Sequence, residues 1–123
     1  MPKRVLDIGN CGPDHGAISH FLGKAFQAEV IQADGASDGL AILRSEPIDL
    51  VLVNRKLDMD YSDGLEIIQQ IKADAKLAKL PCMLITNYPD QQQVAVASGA
   101  EYGFGKKELH TPETHARLAK FLA

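Results

Sequence analysis

The 123-residue sequence has only two cysteines, Cys11 and Cys82. Two thiols so far apart in the chain make neither a disulfide framework nor the ligand spacing of a zinc site. A basic run that would suit nucleic acid is missing, as is an acidic solvating tail. The 16 acidic and 13 basic side chains are scattered and leave a formal net charge of -3. No apolar stretch is long enough for a membrane span. The short one after Pro2, Lys3 and Arg4 is too brief for a secretory leader, so the cytoplasm is the expected compartment. Linkers, repeats and low-complexity segments are also missing. Residues 1–123 therefore read as one domain, of a length suited to a single core.

What is present is an ordinary globular mixture, 46% apolar and 24% charged. Short apolar runs alternate with longer amphipathic ones, the pattern of repeated βα units around a parallel sheet. Val5, Leu6 and Ile8 predict a first strand ending at a Gly9–Gly12 turn. Pro13 suits the first turn of a helix whose apolar face uses Ile18, Phe21, Leu22 and Phe26. A second strand covers Glu29–Gln32 and is followed by a small loop, Ala33–Ser37. A helix presenting Leu40, Ile42 and Leu43 then stops before Pro47.

Ile48–Val53 is nearly continuous and β-branched, as a central parallel strand should be. After the polar loop Asn54–Ser62, Asp63 and Glu66 predict a capping box for a helix carrying Leu65, Ile67, Ile68 and Ile71. Pro81–Ile85 reads as the fourth strand, Gln91–Ser98 as a short helix and Tyr102–Phe104 as a brief fifth strand. Thr111 and Pro112 open the last helix, with Leu118, Phe121 and Leu122 on its buried stripe. Right-handed crossovers turn five such units into a doubly wound (βα)5 three-layer sandwich.

Ligands of an open α/β sheet bind beyond the carboxyl ends of its strands. The residues there are Gly9–Gly12, Asn54–Asp58, Thr86–Tyr88 and Gly105–Lys107. The ordered set of Ile48–Val53 ending at a polar residue, then Asp63-Gly64-Leu65-Glu66, Leu84-Ile85-Thr86, Gly99-Ala100 and Lys106, resembles the receiver domain of two-component response regulators. The resemblance covers essentially the whole chain and implies a flavodoxin-like, CheY-like sheet of order 2-1-3-4-5. It further implies an acid pair that binds magnesium after the first strand and an aspartyl phosphoacceptor at the end of the third. A hydroxyl residue and a lysine would contact the phosphoryl oxygens.

The resemblance fails where that chemistry would sit. The acid-pair positions fall on Gly9 and Asn10, or on Asn10 and Cys11 when Pro13 sets the alignment. The acceptor position falls on Asn54, a neutral amide that cannot form an acyl phosphate. Magnesium needs hard oxygen ligands, usually with a carboxylate or two. Thr86 and Lys106 keep their family positions. The preferred reading of Lys106 is a cation that fills the space of the missing acids and bonds Asn54 or backbone carbonyls, with Thr86 holding a loop or cap. The loop Arg55–Ser62 is enlarged. Gly103 stands where the resemblance implies an aromatic switch residue, between Tyr102 and Phe104, and Lys107 replaces the proline expected after the lysine.

Other groups have plain readings. Asp58 and Asp60 are expected to be solvated loop acids. Asp7, inside the first strand, is costly if buried and unpaired, and the pattern leaves open whether it faces Lys106 or Lys107 or sits at an edge. Cys11 reads as an incidental thiol. His15, His20, His110 and His115 lack metal-ligand spacing and are expected at the surface. The sequence thus points to a non-enzymatic, phosphorylation-independent module without metal or cofactor, of open oligomeric state. It would recognise protein partners, not nucleic acid or membrane, through its last helix and strand or through the loop bearing Arg55, Asp58, Asp60 and Tyr61. One alternative is a phospho-accepting receiver that uses Asp58 or Asp60. The other is a small flavin or nucleotide binder using the Gly9–Gly12 turn.

Overall fold

The computed structural model describes residues 2–123. Five parallel strands are β1 (Arg4–Ile8), β2 (Glu29–Ala33), β3 (Leu50–Asn54), β4 (Cys82–Ile85) and β5 (Glu101–Phe104). They alternate with α1 (Gly12–Phe26), α2 (Ala36–Ser45), α3 (Gly64–Ala73), α4 (Pro89–Ala97) and α5 (Pro112–Leu122). The sheet order is β2-β1-β3-β4-β5, so the strand order reverses between β1 and β3, as expected of a doubly wound sheet.

Side chains alternate across each strand and divide the core in two. Leu6, Ile8, Val51, Val53 and Leu84 pack with Leu43 of α2, Ile67, Ile68 and Ile71 of α3, and Ala95 of α4. Val5, Leu50, Leu52, Met83, Ile85 and Phe104 pack on the other face, against Ile18 and Leu22 of α1 and Leu118 and Leu122 of α5. Phe21, Phe26 and Phe121 are only partly buried, as are Leu40 and Ile42. Phe21 meets the His110 ring edge-on at 5.2 Å and Phe26 lies 4.7 Å from the His115 ring, so these two histidines cover the flank of α1.

Some boundaries move, each for a local reason. The third strand starts at Leu50, not Ile48, because Asp49 makes the entry: its N–H donates to Arg4 O and its carboxylate accepts from Arg4 N, both at 2.8 Å. The fourth helix starts at Pro89, two residues early, since proline already has helical φ and its missing N–H is no loss in a first turn. Asp63 caps α3, but the expected box is only half made. Its carboxylate takes the Leu65 N–H at 2.9 Å, and Glu66 gives its own N–H to the Asp63 carbonyl. The short aspartate reaches the nearer N–H, and its backbone is committed to an antiparallel bridge with Lys56. Thr111 caps α5 as expected, accepting the Thr114 N–H.

Candidate functional site at the carboxyl edge of the sheet

β3 delivers Asn54 to the crest of the sheet, and the loop Arg55–Ser62 folds back over β1. Lys56 and Asp63 bridge across the loop, Leu57 N donates to Ser62 O at 2.9 Å, and Asp58 N donates to Gly9 O at 2.8 Å. Leu57 is buried directly over Gly9, where a Cβ would stand 2.3 Å from its Cδ2; glycine is required there, and its φ of 86° agrees. The loop therefore has a built conformation, with Met59 62% and Tyr61 78% exposed at its tip. Asn54 fastens its base. The amide Nδ2 donates to Lys56 O at 2.7 Å and, more weakly, to Gly9 O at 3.5 Å.

Beside Asn54 lies a cavity of about 350 Å³ lined by Asn54, Arg55, Lys56, Ile85, Thr86, Asn87, Tyr88 and Lys106. No carboxylate lines it. Asp58 and Asp60 are exposed outside this lining, and Asp60 is turned onto Ser62, whose N–H and hydroxyl it accepts at 2.9 and 2.6 Å. Those two bonds hold its carboxyl below the usual range. Thr86 is buried and accepts the Tyr88 N–H at 3.3 Å, holding the turn into α4.

Lys106 corrects an expectation. Its partner is neither Asn54 nor a backbone carbonyl but Asp14, in the first turn of α1, with Nζ 2.7 Å from Oδ2. That bond holds the Asp14 carboxyl below its ordinary value. Asp14 supplies its counter-charge, and the ion pair ties the β5–α5 connection to α1.

His15 is the second correction. It is partly buried, and its Nδ1 lies 2.8 Å from Oδ2 of Asp7, because the first turn of α1 hangs over the end of β1. Asp7 is completely buried, pointing to the α1 side of the sheet with Val5. Its other oxygen accepts from Asn10 Nδ2. Gln32 Nε2 donates to the Asn10 carbonyl at 3.2 Å, while Asn10 Oδ1 is buried with no hydrogen-bond partner among the described residues. Burial raises the Asp7 carboxyl above its ordinary value against the pull of the His15 and Asn10 bonds and the nearby charges of His15 and Lys106. The cysteines remain free: Cys11 occupies the N-cap of α1 without capping it, and burial pushes the Cys82 thiol up to about 11.

A raised carboxyl favours the folded state most in acid and loses that contribution as pH rises through the raised value. Asp7→Asn removes the titration and keeps an acceptor for Asn10. Relative to wild type the variant should gain stability from acid to neutral pH, by on the order of 1 kcal/mol. Denaturant midpoints at a series of pH values measure this; a difference that stays flat with pH contradicts it.

One important residue escapes sequence reasoning. Gln92 of α4 is buried against the sheet, its Nε2 donating to Leu84 O at 2.9 Å and Thr86 O at 3.3 Å. Its Oε1 accepts the Gly103 N–H at 2.8 Å. Here the β4–β5 register is irregular, and the glutamine supplies bonds that a regular ladder would make. On the outer side Arg117 donates to Gly103 O at 3.1 Å and stacks over Tyr102 at 4.6 Å. Its position in a run of three glutamines (Gln91–Gln93) hides it; the clue is Ala95 three residues on, facing the same core.

Among the described residues, no three His, Cys, Asp or Glu side chains gather as a metal site would require, and no helix is long and apolar enough to cross a membrane. No family model and no curated protein matches the sequence. Solved structures do. The chemotaxis response regulator CheY4 of Vibrio cholerae superposes with a TM-score of 0.72 at 20% identity, over 98% of this chain and 95% of that one. A response regulator receiver protein from Pseudomonas putida gives 0.76 at 19% identity, over 98% of both chains. The signal receiver domain of a DNA-binding response regulator from Colwellia psychrerythraea gives 0.79 at 23% identity, over 96% of both. The chain has the fold of response-regulator receiver domains.

Proposed function

We propose that this chain is a phosphorylation-independent, non-enzymatic interaction module of receiver type, recognised by protein partners in a signalling pathway. The observation that carries this reading is the amide of Asn54, which donates to Lys56 O and Gly9 O, two bonds that a carboxylate could not make. The acceptor position has become part of the scaffold of the loop. Two further features support it. Lys106 is engaged by Asp14, and Gln92 holds β5 where the resemblance implies a movable aromatic residue. The surfaces offered to a partner are α5 with β5, where Tyr102 is exposed, and the Arg55–Ser62 loop with Tyr61 at its tip.

The phospho-accepting alternative has less support, since neither Asp58 nor Asp60 lines the cavity beside Asn54. The nucleotide alternative is disfavoured by Leu57, which fills the space over Gly9.

Magnesium or manganese is accordingly expected to bind no better than to any mildly acidic surface. Calorimetric titration of the intact chain tests this. A saturable submillimolar site that is lost on Asp58→Ala would count against the proposal.

A further inference from the structure

The cavity beside Asn54 carries a charge pattern that its role in the loop scaffold does not explain. Three cations line it, Arg55, Lys56 and Lys106, in a protein whose net charge is -3. Lys106 is offset by Asp14, but the other two are not. Arg55 uses Nε on Gln91 Oε1 at 2.9 Å, and its two terminal nitrogens have no partner among the described residues. Lys56 Nζ has none either. The Thr86 hydroxyl accepts from Tyr88 N and keeps its own proton to donate. One wall is aromatic: Tyr88 lines the cavity while remaining 66% exposed. Convergent donors beside an aromatic wall, in about 350 Å³, suit a small organic anion better than a bare ion.

We propose that this cavity reversibly binds a small organic oxyanion with a planar apolar body, of the class of aryl phosphates and aromatic carboxylates. Arg55, Lys56 and the Thr86 hydroxyl hold the oxyanion, and Tyr88 packs the body. No covalent bond forms. The inference rests on the reading that Asn54 accepts no phosphoryl group, and it gives the degenerate site a ligand in place of a modification.

Phenyl phosphate, benzoate, inorganic phosphate and phenol are titrated into the isotope-labelled intact chain while backbone amide shifts are followed. Phenyl phosphate and benzoate should give saturable shifts at Arg55, Lys56, Thr86 and Asn87. Inorganic phosphate, lacking the body, should bind about tenfold more weakly, and uncharged phenol should leave these amides unmoved. Lys56→Glu, at an exposed position without a partner, should weaken phenyl phosphate about tenfold or more. Tyr88→Ala should weaken phenyl phosphate and leave inorganic phosphate unchanged.

Absence of saturable shifts with phenyl phosphate, an undiminished affinity in Lys56→Glu, or equal affinities for phenyl and inorganic phosphate would overturn the proposal. Intact mass of the chain after incubation with acetyl phosphate and magnesium separates the two levels. A covalent phosphoryl adduct removes the parent reading, whereas an unchanged mass with no shifts removes only the ligand.

Discussion

Gln92→Leu is expected to destabilise the protein by about 2–4 kcal/mol, although leucine matches glutamine closely in volume. The loss comes from the partners left behind. Gly103 N–H is buried and loses its acceptor, while Leu84 O and Thr86 O lose a donor. An unsatisfied buried backbone group costs about 1–3 kcal/mol, and the cavity term is small for a side chain of equal size. The same substitution should release β5 from α4, so that amide exchange at Gly103 accelerates more than at Val51 in the centre of the sheet. Equilibrium denaturation measures the first effect and hydrogen exchange the second. A change within about 0.5 kcal/mol would mean that water or backbone adjustment replaces the glutamine.

A comparable loss is expected from Gly103→Ala, for a steric reason. A Cβ at position 103 would stand 2.3 Å from the Leu84 carbonyl oxygen, 3.2 Å from Met83 Cβ and 3.3 Å from Gln92 Oε1. The nearest of these belongs to the backbone of the neighbouring strand and cannot turn aside. The strands must separate or β5 must twist, at a cost of about 3 kcal/mol or more. Thermal melts of the purified variant report it, and a midpoint close to wild type contradicts the argument. Gly103→Tyr should be worse still. The resemblance to receivers implies an aromatic residue at this position, and the structure has no room for even its first carbon. An aromatic relay therefore cannot be rebuilt here by one substitution.

The layered fold was legible because burial writes itself on the sequence with a period. Leu50–Val53 are buried on both faces and read as a continuous apolar run, and Ile67, Ile68 and Ile71 repeat at helical spacing. The placement of Gly9, Asn10 and Asn54 at the carboxyl edge of the sheet was legible too, since each lies at or just after the end of a strand. Polar partnerships were not. The pattern leaves open which way Asp7 turns, and nothing in it names His15 and Asn10 as its partners. Lys106 and Asp14 are 92 residues apart and meet only because α1 and the β5–α5 connection close over the same end of the sheet. Gln92 is chemically identical to its neighbours Gln91 and Gln93 and differs only in which way the helix turns it. Boundaries at Leu50 and Pro89 depended on single hydrogen bonds and one proline φ, which periodicity does not resolve.

The central claim is that the acceptor chemistry is gone, and intact mass after incubation with acetyl phosphate and magnesium tests it most directly. Wild type should show no gain, since Asn54 is an amide and no carboxylate lines its cavity. Asn54→Asp should also stay essentially unlabelled. The new carboxylate would replace a donor that now serves Lys56 O and Gly9 O, and it would still lack a metal to offset repulsion from the anionic phosphodonor. Adding acids at Asn10 and Cys11 (or at Gly9 and Asn10) to that variant should permit some labelling. A stoichiometric gain of one phosphoryl group on the wild-type chain, mapped to a carboxylate at the carboxyl edge of the sheet, would contradict the account.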